Sequence, residues 1–159
     1  MRASYTDKTD TDRRSAVVAL TLLRIGVGAI FVAHGWQKLS DIQGTVAGFS
    51  HQGIPNPTLM VYLAILGEFF GGLGLALGAL TPLAGLGPAL VMVGAIYFVH
   101  RDNGLFGQNG GWEYPLTMLL IALYFVTHGA GPLSVDALIA KNRRRPVRRR
   151  GSVEATTHP

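Results

Sequence analysis

The chain contains no cysteine. Thiolate catalysis, disulfide exchange, iron–sulfur ligation by its own side chains and lipidation at cysteine are therefore excluded. Charge is scarce as well: 14% of the residues are Asp, Glu, Lys or Arg, against about 25% in a soluble globular domain. Apart from Glu154 and His158 in the C-terminal tail, no pair of His and Glu has the i, i+3 or i, i+4 spacing of a helical metal site, and no metal is expected. No strand precedes the glycine-rich stretches, which removes the phosphate-binding loops of nucleotide enzymes.

What is present is apolar. Hydrophobic residues make up 48% of the 159 positions, and the mean hydropathy is +0.31. Most of the 21 glycines lie inside apolar runs, where they let helices approach closely in lipid. The expected fold is all-α, an integral membrane four-helix bundle in a single domain.

Residues 1–15 are polar and mixed in charge, and are expected to form a disordered tail. Four apolar runs follow at about 16–37, 59–80, 82–99 and 112–128, close to the ~20 residues that cross a bilayer. Together they define a domain over residues 16–130. The first long loop carries the turn-forming Gly53-Ile54-Pro55-Asn56-Pro57, with room for a short interfacial helix over 40–50. Thr81-Pro82 leaves space only for a tight turn, and Pro88 is expected to kink the third run or to start its regular part. The second long loop passes through Gly107-Gln108-Asn109-Gly110-Gly111, a flexible stretch by composition. Trp112, Tyr114 and Tyr124 read as interfacial or packing aromatics. Residues 131–159 form a second tail, with an amphipathic helix over 134–141 capped by Ser134 and then a polybasic end.

The two tails hold 11 of the 14 Lys and Arg, while Lys38 and Arg101 lie at the long loops and Arg24 inside the first run. This asymmetry places both termini in the cytoplasm and the long loops outside. It also accounts for the net charge of +5 without nucleic acid, which is not an expected partner. Arg143, Arg144, Arg145, Arg148, Arg149 and Arg150 are expected to touch anionic lipid headgroups.

The first run carries R-x3-G-x2-F-x2-H-G-x2-K as Arg24, Gly28, Phe31, His34, Gly35 and Lys38. The second carries E-x2-G-G as Glu68, Gly71 and Gly72, followed by Leu75, Leu77, Gly78, Thr81 and Pro82. Gly110, Gly111 and Glu113 precede the fourth. In this order the residues resemble the DoxX family of small four-helix bacterial inner-membrane proteins, over about residues 20–128. That family is related to a subunit, DoxD, of a membrane thiosulfate:quinone oxidoreductase, and some members are linked to oxidative stress. The resemblance implies a multi-pass inner-membrane protein, with a quinone as the cofactor to look for and partner oxidoreductases as associates. It assigns no catalytic residue.

At 100° per residue Arg24, Gly28, Phe31, Gly35 and Lys38 share one helix face. Arg24 and Glu68 each stand near the midpoint of an apolar run, so an intramembrane ion pair between them is expected. Such a pair either fixes helix register or forms a proton or ligand site. Gly67, Gly71, Gly74 and Gly78 repeat at helix-packing spacing. His34, Lys38 and Glu113 are expected to converge at the outer face, where a His beside a carboxylate relays protons or binds an anion, or where Lys38 simply snorkels. Three functions stay open: a redox-associated subunit, a lipid-interacting scaffold without chemistry of its own, and a small transporter-like unit that would need homo-oligomerisation.

Overall fold

The computed structural model describes the backbone of residues 3–143 and the side chains of 9–143. Every regular element among them is helical. In chain order these are α1 (Ala3–Ser40), α2 (Ile42–His51), α3 (Pro57–Leu77), α4 (Thr81–Asn103), α5 (Glu113–His128) and α6 (Val135–Arg143). Three stretches are long and apolar enough to cross a bilayer: Thr9–Ser40, Pro57–Leu77 and Thr81–Asn103. The run expected as a fourth span forms α5, whose 16 residues cover about 24 Å against a hydrocarbon core of about 30 Å.

Three local expectations are corrected. Residues 3–15 continue α1 instead of forming a disordered tail, because extending an existing helix avoids the cost of nucleating one. The third run's helix begins at Thr81, seven residues before Pro88, so the proline does not start its regular part. The Ala84 carbonyl, left without its helical donor by that proline, faces Gly71. The glycine-rich second loop is tied down. Gly111 donates to the Phe106 carbonyl, Trp112 to Gly104 and Glu113 to Leu105, while His100 Nδ1 lies 2.6 Å from the Gly110 carbonyl oxygen.

The long helices pack in chain order: α1 on α3, α3 on α4, and α4 on α5. Their shared core holds Val27, Phe31, Leu75, Met92, Met118 and Phe125. The opposite faces leave Leu22, Leu66, Leu90 and Leu120 exposed, which suits contact with lipid. The α1 stripe points inward, with Arg24, Gly28, Phe31 and Gly35 all buried.

Close backbone contacts fix the register. A Cβ at Gly28 would sit 2.6 Å from the Ala76 nitrogen, and one at Gly72 would sit 2.8 Å from the Gly28 oxygen. Gly35 lies against the backbone of Phe69. Gly67, Gly71 and Gly74 present the other side of α3 to α4, meeting Gly87, Pro88 and Ala84. Gly78 serves differently, ending α3 in the left-handed region at φ +67°, where glycine carries no Cβ penalty.

α3 and α4 each contain one π turn, at Leu66–Phe70 and Ile96–His100. Such turns widen a helix locally and are frequent at functional sites. The first includes Glu68 and the second ends at His100.

Candidate functional site

The expected Arg24–Glu68 ion pair does not exist. Arg24 lies beside Gly78, ten residues and about 15 Å along α3 from Glu68. Midpoints of two apolar runs meet at one depth only when the two helices share the same span ends. The glycine contacts instead slide α1 along α3 and leave Arg24 near the α3–α4 turn. Glu68 is paired with Lys38, Nζ to Oε2 at 2.5 Å. The carboxylate is 3% exposed and the ammonium group's side chain 19%.

Lys38 and Glu68 stand at one end of a half-open groove between α3 and α4, with a cavity volume of about 1020 Å³. Its walls are mostly apolar, with Leu66, Leu73, Leu86 and Leu90 among them, and several of these leucines also face outward. The polar lining gathers towards the end that carries the two long loops: His34, Lys38, Gln52, Glu68, His100 and Tyr114. His34 Nε2 is 3.2 Å from the Tyr114 hydroxyl, and Tyr114 lies within electrostatic reach of Glu68.

Glu113 does not join this cluster. Its Oε1 accepts from the Gly107 N–H at 2.6 Å, so it holds the second loop while Tyr114, next in the chain, turns to His34. Consecutive residues at the start of a helix point about 100° apart, which is why one enters the groove and the other does not. His51 is exposed at the end of α2 and stays outside the groove.

The opposite end, at the α3–α4 turn and α6, is built as a lock. The Arg24 side chain is 2% exposed; its Nη1 donates to the Ala130 carbonyl at 2.7 Å and its Nη2 to that of Leu133 at 2.8 Å. Ser134 caps α6 by accepting from the Ala137 N–H. Two residues on, the Asp136 carboxylate accepts from the Leu80 N–H, the Thr81 N–H and the Thr81 hydroxyl. Leu80 is held in the left-handed region at φ 48°, a costly conformation for a leucine. The bond from Asp136 to its N–H offsets part of that cost. Burial pushes the Asp136 carboxyl up, but the bonds from Thr81 and Leu80 and the charge of Arg24 outweigh it and hold it below the usual carboxylate range. Sequence inspection misses Asp136, because a lone acidic residue in a surface helix has no spacing that names its partner.

Arg143 is exposed in the last turn of α6. Arg144, Arg145, Arg148, Arg149 and Arg150, the other expected lipid contacts, lie outside the described residues.

Apolar spans, a stripe of close-packed glycines and a groove with a buried ion pair define a helical membrane protein. The chain belongs to the DoxX family, whose model matches residues 19–101. It is 28% identical to a Bacillus subtilis protein named "Putative oxidoreductase CatD" over 131 residues, covering 82% of this chain and 94% of that one. It is 30% identical over 124 residues to the inner membrane protein YqjF of Escherichia coli, covering 78% and 94%. An uncharacterized membrane protein of Mycobacterium tuberculosis is 30% identical over 130 residues, covering 75% of this chain and 80% of its own. No solved structure matches the chain.

Proposed function

We propose that the protein is a redox-associated subunit of the bacterial inner membrane that holds a quinone in the α3–α4 groove and anchors partner oxidoreductases. The observation that carries this is the groove itself: apolar along its length, open on one side, and polar at one end through Lys38, Glu68, His34 and Tyr114. An amphiphile with a polar ring and an isoprenoid chain matches that division, with the chain along the leucines and the ring at the polar end. A relative that carries the word oxidoreductase in its name favours this use over a plain lipid scaffold. When bound, a quinone would supply a two-electron redox couple; Lys38 and Tyr114 offer it hydrogen bonds, and Glu68 holds Lys38 in place.

Purification in mild detergent, followed by solvent extraction and chromatography, tests the proposal. The wild type is expected to retain quinone near one per chain, and Lys38→Met to lose most of it. Quinone no higher than in an unrelated multi-pass protein purified in parallel would sink the proposal. Phospholipid alone in the extract would favour the scaffold.

The same proposal takes α5 as a fourth span, its short length made up by the flanking loops, so that both termini face the cytoplasm. The 11 Lys and Arg of the two tails, against one at each long loop, support that orientation. A reporter active only in the cytoplasm is expected to work when fused after Pro159 and to fail at Asn109. The reverse pattern would overturn the four-span topology.

A further inference from the structure

We infer that Tyr114 and His34 form a proton outlet from the polar end of the groove to water at the loop end. This rests on the proposed quinone site and adds the route by which its protons leave.

The geometry supplies a short path with one buried and one open end. Glu68 is buried and held by Lys38, and Tyr114 lines the same groove. The Tyr114 hydroxyl touches His34 Nε2 at 3.2 Å, and His34 is exposed. An ion pair inside a membrane is costly to maintain. The other polar groups lining this end are Gln52, Lys38 (held by Glu68) and His100, which lies beside the Gly110 carbonyl. The Tyr114–His34 contact gives a proton a hydrogen-bonded route from the groove to the surface.

A hydroquinone that gives two electrons to an acceptor centre of a partner oxidoreductase breaks two O–H bonds and releases two protons. Tyr114 passes its hydroxyl proton to His34 Nε2 as it takes one from the ring oxygen beside it. With Nδ1 carrying the resting proton, His34 then becomes an imidazolium and loses the Nδ1 proton to water. The Glu68 carboxylate takes the second proton. Tyr114 thus ends as it began, and Glu68 ends protonated. His34 ends with its proton on Nε2 and returns to the Nδ1–H tautomer by proton exchange with water, so all protons and electrons are accounted for.

The test uses the full chain in nanodiscs of phosphatidylethanolamine and phosphatidylglycerol, with decylubiquinone and decylubiquinol as probes. Affinity is measured first. Oxidation of the bound hydroquinone by ferricyanide, two equivalents per ring, is then followed by stopped flow. Rates of His34→Ala and Tyr114→Phe are read at probe concentrations that saturate each variant, Tyr114→Phe being expected to bind more weakly for want of its hydrogen bond to the ring. Both should slow oxidation at least about tenfold, below the full range that positioned proton transfer contributes. Added imidazole should restore the rate in His34→Ala and not in Tyr114→Phe. As a readout independent of turnover, the ¹⁵N resonance of His34 Nε2, assigned through His34→Gln, should move on adding decylubiquinol to wild type and stay put in Tyr114→Phe. Unchanged rates with intact binding, or slowed rates that imidazole does not restore, would overturn the outlet while leaving the quinone site standing. Failure of the wild type to bind decylubiquinone would overturn both.

Discussion

Replacing Arg24 by alanine is expected to lower stability in detergent by about 3 kcal/mol or more, and replacing it by lysine to recover little of that loss. Two hydrogen bonds from a charged donor are removed, each worth roughly 1.5–3 kcal/mol, and the Ala130 and Leu133 carbonyls lose their partner. A lysine ammonium is a single point and does not reproduce the fork that reaches both carbonyls. The same end of the molecule should respond to acid. Asp136 has its carboxyl held below the usual range in the folded protein. Its contribution is therefore complete above the unfolded value of about 3.9 and is lost as the pH falls through the lower, folded value. Thermal unfolding between neutral pH and about pH 2.5 should show wild type losing more stability than Asp136→Asn below pH ~4. Equal acid sensitivity in the two, or an Arg24→Lys protein as stable as wild type, would mean that the lock does not hold the helices.

The second large effect belongs to Lys38 and Glu68. Lys38→Met leaves a carboxylate that is 3% exposed without its counter-charge, and breaking a buried pair in this way costs about 3–5 kcal/mol unless the carboxyl takes up a proton. Glu68→Gln should cost less, because the side chain of Lys38 is partly exposed and can reach towards water. Changing both, to methionine and leucine, should return much of the loss, since well-packed apolar replacements of whole buried pairs are often tolerated. A double-mutant cycle on Lys38 and Glu68 should give a coupling of about 1–3 kcal/mol, while one on Arg24 and Glu68 should be additive to within about 0.5 kcal/mol. The opposite pattern would restore the pairing by depth and refute the register described above.

Much of the architecture is legible from residue order. The apolar runs predict α1, α3 and α4, the spacing of Arg24, Gly28, Phe31, Gly35 and Lys38 predicts the inward face of α1, and Ser134 predicts the start of α6 to within a residue. The interfacial helix expected over 40–50 is α2, capped by Asp41, whose Oδ1 accepts from the Gly44 N–H at 2.8 Å. These features depend on one helix at a time, so periodicity and capping chemistry suffice.

The pairings are another matter. Lys38 and Glu68 are both visible as unusual charges, yet nothing in the sequence says that Lys38, and not Arg24, is the partner. An apolar run sets the ends of a helix only to within several residues, and at 1.5 Å per residue that uncertainty exceeds the reach of a salt bridge. The backbone contacts of Gly28 and Gly35 with α3 decide the register. Tyr114 reads in sequence as one interfacial aromatic among several until the α5 start turns it onto His34.

By itself, then, the sequence determined the chemistry this protein has to work with: long apolar helices, glycines for close approach, no thiols, and a handful of charges that lipid would punish unless they were partnered. Only the tertiary structure decided how those charges are shared, Arg24 and Asp136 closing one end while Lys38 and Glu68 sit at the polar end of the groove. The physical reason is that composition and periodicity act along one helix, whereas the partner of a buried charge depends on the sliding and rotation of one helix against another.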